Sequence, residues 1–256
     1  MKNNFNLNKI ALLVLTLSLL LSLSCSNNNM DSNVGKLNIS AKASFTNLTA
    51  NRAIANKGMN GNIVIENFQM NISKFELEVD QEDDNYHEDQ NEHWDDDGFY
   101  DYEDEIELMG PFELDLMSGQ VSFLNVTVPI GNYDELEFKF DVSTDPLSDL
   151  FGKSVLVQGT IDGTPFIFWH NFDDEVEVDF EDPQFDISIS QISEGIVIDF
   201  DLGLILDSVN GVDLSLANDG NQDGTIEISP DDPDGNNQLA EAIRHKIKEY
   251  INLLDD

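Results

Sequence analysis

Phe68-Gln69-Met70-Asn71-Ile72-Ser73-Lys74-Phe75-Glu76-Leu77-Glu78-Val79 alternates apolar and polar residues, with one fault. Phe68, Met70 and Ile72 share a face, and Phe75, Leu77 and Val79 resume the alternation one residue out of phase. Period two is the signature of a strand with one buried face. The fault at Ser73-Lys74 would turn the second half inside out unless a bulge absorbs one residue.

The same pattern recurs along the chain. Leu37, Ile39, Ala41 and Ala43 form one series, Phe112, Leu114 and Leu116 another, then Leu136, Phe138, Phe140 and Val142. Phe166, Phe168 and His170 follow, then Val176, Val178 and Phe180, then Phe185, Ile187 and Ile189. Ile196 to Ile205 carries apolar residues on both faces, which suits a central strand. Asp162-Gly163 between Val155–Ile161 and Pro165–Trp169 signals a hairpin, and Gly131-Asn132 and Asp182-Pro183 mark further joints. About nine or ten strands without helices between them predict a mainly β fold, an antiparallel two-sheet β-sandwich spanning 36–215. Spacing alone leaves a closed barrel open. Within residues 216–256, Leu239, Ile243, Ile247, Ile251 and Leu254 recur at three- and four-residue spacing, the stripe of a C-terminal amphipathic α-helix of four to five turns. Asn236 or Asn237 is its candidate cap, and Arg244, Lys246 and Lys248 give it a basic side to set near acidic loops.

Composition excludes several functions. Of 256 residues, 51 are acidic and 12 basic, for a net charge of −39. Such a field repels phosphate backbones, so nucleic acid is not a partner. One cysteine precludes an internal disulfide, and 40% hydrophobic content with 16 phenylalanines is too rich for wholesale disorder. No Gly-rich phosphate loop, His-Glu-x-x-His helix or Gly-x-Ser-x-Gly elbow is present. Asp199 and Asp201 share a face and read as solvated exterior carboxylates; His170 and His245 read as ordinary surface or edge residues. A carboxylate-based glycan hydrolase needs two acids flanking a cleft, and nothing in the pattern selects a pair. The expectation is therefore no enzyme.

Residues 1–24 read as an export signal. Lys2 and Lys9 precede an apolar run, Ile10 to Ser24, that is too short to span a bilayer. Ser22-Leu23-Ser24-Cys25 resembles the lipobox of bacterial lipoproteins, which implies lipidation of Cys25, a palmitate-type anchor and outer-membrane placement, with the periplasmic or cell-surface side left open. Residues 25–35 then form a flexible tether.

Two acidic features are candidate cation sites. The insertion at 80–107 holds 15 acids and no lysine or arginine. It reads as a solvated loop or weak cation collector, and His87 and His93 lack a third zinc ligand. Its Trp94, Tyr100 and Tyr102 are candidate contacts for a glycan or another envelope protein. Asp219-Gly220-Asn221-Gln222-Asp223-Gly224-Thr225-Ile226-Glu227 is more specific. Asp219, Asn221 and Asp223 place oxygens at positions one, three and five, Gly224 permits the turn, and Thr225 and Glu227 add ligands. It resembles the Ca2+ loop of EF-hand and dockerin-like modules. Position twelve is Pro230, so Asp231, Asp232 or Asp234 stands in for the final glutamate, Asp231 being the nearest. Ca2+ here has a structural role, joining sheet to helix.

Phe112-Glu113-Leu114-Asp115-Leu116, Val128-Pro129-Ile130-Gly131-Asn132-Tyr133, Leu136-Glu137-Phe138 and Ile198-Asp199-Phe200-Asp201 together resemble the DUF4382-like domain of bacterial lipoproteins, over approximately Leu37 to Leu206. The resemblance implies an exported β domain of undefined activity and brings no catalytic residues with it. Pro129 and Gly131 set a turn, from which the Tyr133 ring covers the sandwich end and its hydroxyl reaches backbone.

Overall fold

The fault at Ser73-Lys74 is a bulge inside one continuous strand, β2 (Ile63–Val79). Register shifts between Ile72 and Lys74 against both neighbours, β3 (Glu105–Asp115) and β5 (Gly131–Phe140). Phe68, Met70, Ile72, Phe75 and Leu77 are all fully buried as a result. The extra residue keeps both halves facing the same core. The structure, a computed structural model, describes residues 34–45, 63–79, 105–179, 186–190, 192–231 and 233–255.

A second bulge lies between Ile65 and Asn67, where β2 pairs with β6 (Val155–Ile161). Opposite it, Gly159 packs so closely on the Val64 carbonyl that a Cβ would overlap the oxygen. Gly159→Ala is expected to cost about 2–3 kcal/mol in urea unfolding, because rigid backbone must move. Gly131→Ala is the control, since its Cβ meets nothing within 4 Å. Equal losses from the two would contradict this.

Two sheets form the sandwich. β2, β3, β5 and β6 belong to the larger, with β7 (Thr164–His170), β8 (Glu175–Asp179), β9 (Ile187–Ile189) and β11 (Ile226–Ile228). The smaller has the order β12 (Ile251–Asp255), β10 (Ser193–Asp201), β1 (Val34–Ser44), β4 (Val121–Pro129). Phe200 of β10 meets Phe68, Phe138 and Phe140 of the facing sheet edge-on, with ring centroids 6.4, 6.3 and 6.3 Å away. Such edge contacts suit the ring quadrupoles. The Tyr133 hydroxyl donates to the Pro129 carbonyl at 3.0 Å, and the ring is buried.

Four expectations are corrected. The sheets are mixed, not purely antiparallel: β1 runs parallel to β10, and β11 parallel to β7. Parallel neighbours require a long crossover, and the larger sheet itself supplies it between β1 and β10. The strand expected through Ile205 ends at Asp201, whose carboxylate accepts from the Leu204 amide at 3.1 Å and starts a helical turn, α1 (Leu202–Ile205). Asp199 and Asp201 are buried, 8% and 4% exposed, because β10 is central and both of its faces are covered. Burial pushes the Asp199 carboxyl up, against a Ser44 hydrogen bond. The last helix, α2 (Asn237–Glu249), stops before Ile251. Ile251 and Leu254 lie in β12, which pairs antiparallel with β10 and satisfies its open edge.

Ala240, Ile243 and Ile247 of α2 enter the same core as Ile226 and Ile228 of β11. The described residues belong to one unit, Asn33–Asp256.

Candidate functional site

The loop leading into β11 wraps its oxygens around its own backbone. Asp219 Oδ1 and Asn221 Oδ1 both accept from the Asp223 amide, at 3.1 and 2.9 Å. Asp219 Oδ2 accepts from the Gly224 amide at 2.9 Å, and Asp223 Oδ1 from the Thr225 amide at 2.9 Å. The Asn221 side-chain amide donates to Asp223 Oδ2 at 3.2 Å. Asp219, Asn221 and Asp223 are thus brought together, as their one-three-five spacing predicts. Gly224 adopts φ 95°, which favours glycine.

Asp234 holds this loop from behind. It is buried, and its carboxylate accepts from the Asn221 amide at 3.1 Å and the Glu227 amide at 2.6 Å. Asn236, expected as helix cap, makes no capping bond. Its side chain donates to the Asn218 and Glu227 carbonyls, each at 2.8 Å, and accepts from the Asn218 amide at 3.1 Å. Glu227 turns its carboxylate to the Trp169 indole N–H at 3.1 Å and the Ser229 hydroxyl at 3.0 Å. Asp231 is exposed, and Thr225 is half-buried with its amide bonded to Asp223. Among the described residues, no group of three or more His, Cys, Asp or Glu is placed to hold a metal ion. The oxygen donors of the loop are therefore two carboxylates and one carboxamide, each accepting from the loop's own backbone amides.

A second polar cluster escaped the sequence reading. His170 is buried, 3% exposed, on a central strand, and so is not a surface or edge residue. Its alternation with Phe166 and Phe168 already set it on the core face; its partner, on α2, was not legible. His170 Nε2 lies 3.2 Å from Glu241 Oε1, and Nδ1 accepts from the Asn171 amide at 3.0 Å. Burial lowers its pKa, outweighing the opposite pull of Glu241. Glu241 also accepts from Arg244 at 3.2 Å. Arg244 grips Asp174 with two bonds, Nε–Oδ2 at 2.7 Å and Nη2–Oδ1 at 2.5 Å, and lies 5.7 Å from the Phe172 ring centroid. Lys248 adds a third bond at 3.1 Å. The basic side of α2 thereby meets an acidic connection, between β7 and β8.

The outer face of the larger sheet carries acids in register. Glu107, Glu76, Glu137 and Glu177 lie opposite one another across β3, β2, β5 and β8. The next row holds Lys74 and Lys139. Burial, then the neighbouring Glu76 and Glu175, push the Glu137 carboxyl up.

Cys25, residues 26–33, His87, His93, Trp94, Tyr100 and Tyr102 lie outside the described residues. No described helix is long and apolar enough to cross a membrane. In class, the molecule is a mixed two-sheet β-sandwich closed by a C-terminal helix and strand. No protein-family model matches the chain, and no curated protein matches it. Among solved structures, MbnP from Methylosinus trichosporium is similar with a TM-score of 0.42 and 12% identity, over 87% of this chain and 99% of that one.

Proposed function

We propose that this chain is a lipid-anchored, non-enzymatic module of the bacterial outer envelope, of the DUF4382-like kind, whose Asp219–Glu227 loop binds a structural calcium ion. The observation that carries the calcium reading is the convergence of Asp219, Asn221 and Asp223 side-chain oxygens on the Asp223–Thr225 backbone. Asp234 and Asn236 fix that loop to the start of α2. An ion there ties β11 to the closing helix. It also relieves self-repulsion in a chain of net charge −39. Cys25, the only cysteine, at the end of the apolar run supports the anchor.

Calorimetric titration of the full chain in detergent tests the reading. Saturable calcium binding is expected, with a melting temperature that rises with calcium, by about 2.7 kcal/mol of stabilisation at 100 times Kd. Asp223→Ala should weaken binding about tenfold or more. No heat and no melting shift at millimolar calcium would remove calcium from the function.

A further inference from the structure

The tether joins the sandwich at an end that carries exposed isoleucines. Val34, the first residue of β1, pairs with Pro129, the last of β4, and Lys36 pairs with Ser193, the first of β10. Gly131 of β5 pairs with Ile189 of β9. Gly35 packs on the Ser190 carbonyl with no room for a Cβ. The start of β1, the β4–β5 turn and the β9–β10 turn therefore lie together. Ile130 in the first turn is 39% exposed, and Ile192 in the second is 74% exposed. Both turns are braced: the Tyr133 hydroxyl bonds the Pro129 carbonyl, and the Ile192 amide donates to Ser190 Oγ at 3.1 Å. Neither isoleucine belongs to the core, so packing does not account for them.

Eight residues, Ser26 to Asn33, separate Cys25 from Val34. At about 3.3–3.6 Å per residue, that segment reaches roughly 30 Å when fully extended. A lipid on Cys25 thus holds this end against the bilayer at an effective concentration of about millimolar or more, where a weak contact persists. Two isoleucines entering the interface supply such a contact, because each removes apolar surface from water. The charge of the chain selects the surface. With Lys36 its exposed cation here, Glu194 beside it and a net charge of −39, this end fits zwitterionic lipid and is repelled by anionic lipid.

We infer that Ile130 and Ile192 form a membrane-seating edge that rests on a zwitterionic bilayer and fixes the orientation of the domain. The inference rests on the acylation of Cys25 proposed above. Strand register sets the consequence. Val79 of β2 pairs with Tyr133 near the seated end, whereas the Asp219 loop leads into β11, which connects through β7 and β6 to Ile65. Fourteen residues of strand, about 45 Å, separate the two levels. The calcium loop therefore points away from the membrane, toward partners.

The test uses the full acylated chain in phosphatidylcholine vesicles, with Ile192→Cys carrying an environment-sensitive fluorophore. Leu147→Cys, at a position 92% exposed beyond the far end of β5, is the control. Emission from position 192 is expected to shift to shorter wavelength and to be quenched by brominated lipid, and that from position 147 to remain as in water. Replacing zwitterionic with anionic lipid should diminish the shift. Flotation of the protein with the vesicles but water-like emission at 192 would overturn the seating and leave the anchor standing. Failure to float, with Cys25 itself taking the label, would remove both.

Discussion

Replacing Phe200 by alanine is expected to cost about 3–5 kcal/mol. The ring is fully buried and meets rings from two strands of the facing sheet, Phe68 of β2 and Phe138 and Phe140 of β5. Its removal opens a cavity where the two sheets meet through aromatic edges. Neighbours on paired strands cannot collapse into the gap without breaking register. For a domain of this size the melting temperature should fall by roughly 10 °C or more. Phe200→Leu keeps most of the volume and should cost about 1–1.5 kcal/mol. A leucine variant as stable as wild type would show that the edge contacts contribute nothing beyond burial, and equal losses from alanine and leucine would contradict the cavity argument.

Phe200 also shows what sequence pattern conveys and what it omits. Alternation set Phe200 on the inner face, and the phase fault at Ser73 announced the bulge that keeps Ile72 and Phe75 on one side. Period two records which face is buried, but neither the partner strand nor its direction. The parallel pairing of β1 with β10 depends on what the intervening chain builds, so it is invisible locally. Ile251 and Leu254, three residues apart, satisfied helical spacing, yet they lie in a strand, on its opposite faces. The open edge of β10 decided between them, and that edge exists only in the folded molecule.

The candidate site divides in the same way. A ligand loop is local, so the gathering of Asp219, Asn221 and Asp223 was legible from nine consecutive residues. The clamp by Asp234 and Asn236 was less so, because it depends on the chain returning past Pro230 and Pro233. Asp231 is nearer in sequence but stays exposed, whereas Asp234 is the carboxylate that turns inward. Of the His170–Glu241–Arg244–Asp174 cluster, the basic side of α2 and the inward alternation of His170 were legible, but the pairing was not. Its pairs join residues some seventy positions apart, and only the docking of α2 on β7 brings them together.

Removing the Asp174 charge should have the second large effect, and pH separates its cause from simple loss of packing. Asp174→Asn is expected to lower stability by about 2–4 kcal/mol at pH 7, because Arg244 and Lys248 are then left beside a neutral amide. Bidentate bonding to Arg244, assisted by Lys248 and opposed by burial, depresses the Asp174 pKa to about 2. A depressed folded-state value means stability that is full above the unfolded pKa, near 3.9, and is lost as pH falls through the folded one. That loss is therefore confined to the window from about pH 4 to 2. Asp174→Asn already lacks the charge, so wild type and variant should converge there. His170 acts earlier. Its folded pKa lies below the ordinary value of 6.5, so acid protonates the unfolded chain first and stability begins to fall below about pH 6.5. Protonating Nδ1 in the folded state also breaks its bond from the Asn171 amide. Urea unfolding at pH 7, 5, 3 and 2 resolves the two steps. A gap between wild type and Asp174→Asn that stays constant from pH 7 to pH 2 would show that the Arg244–Asp174 pair does not carry the docking of α2.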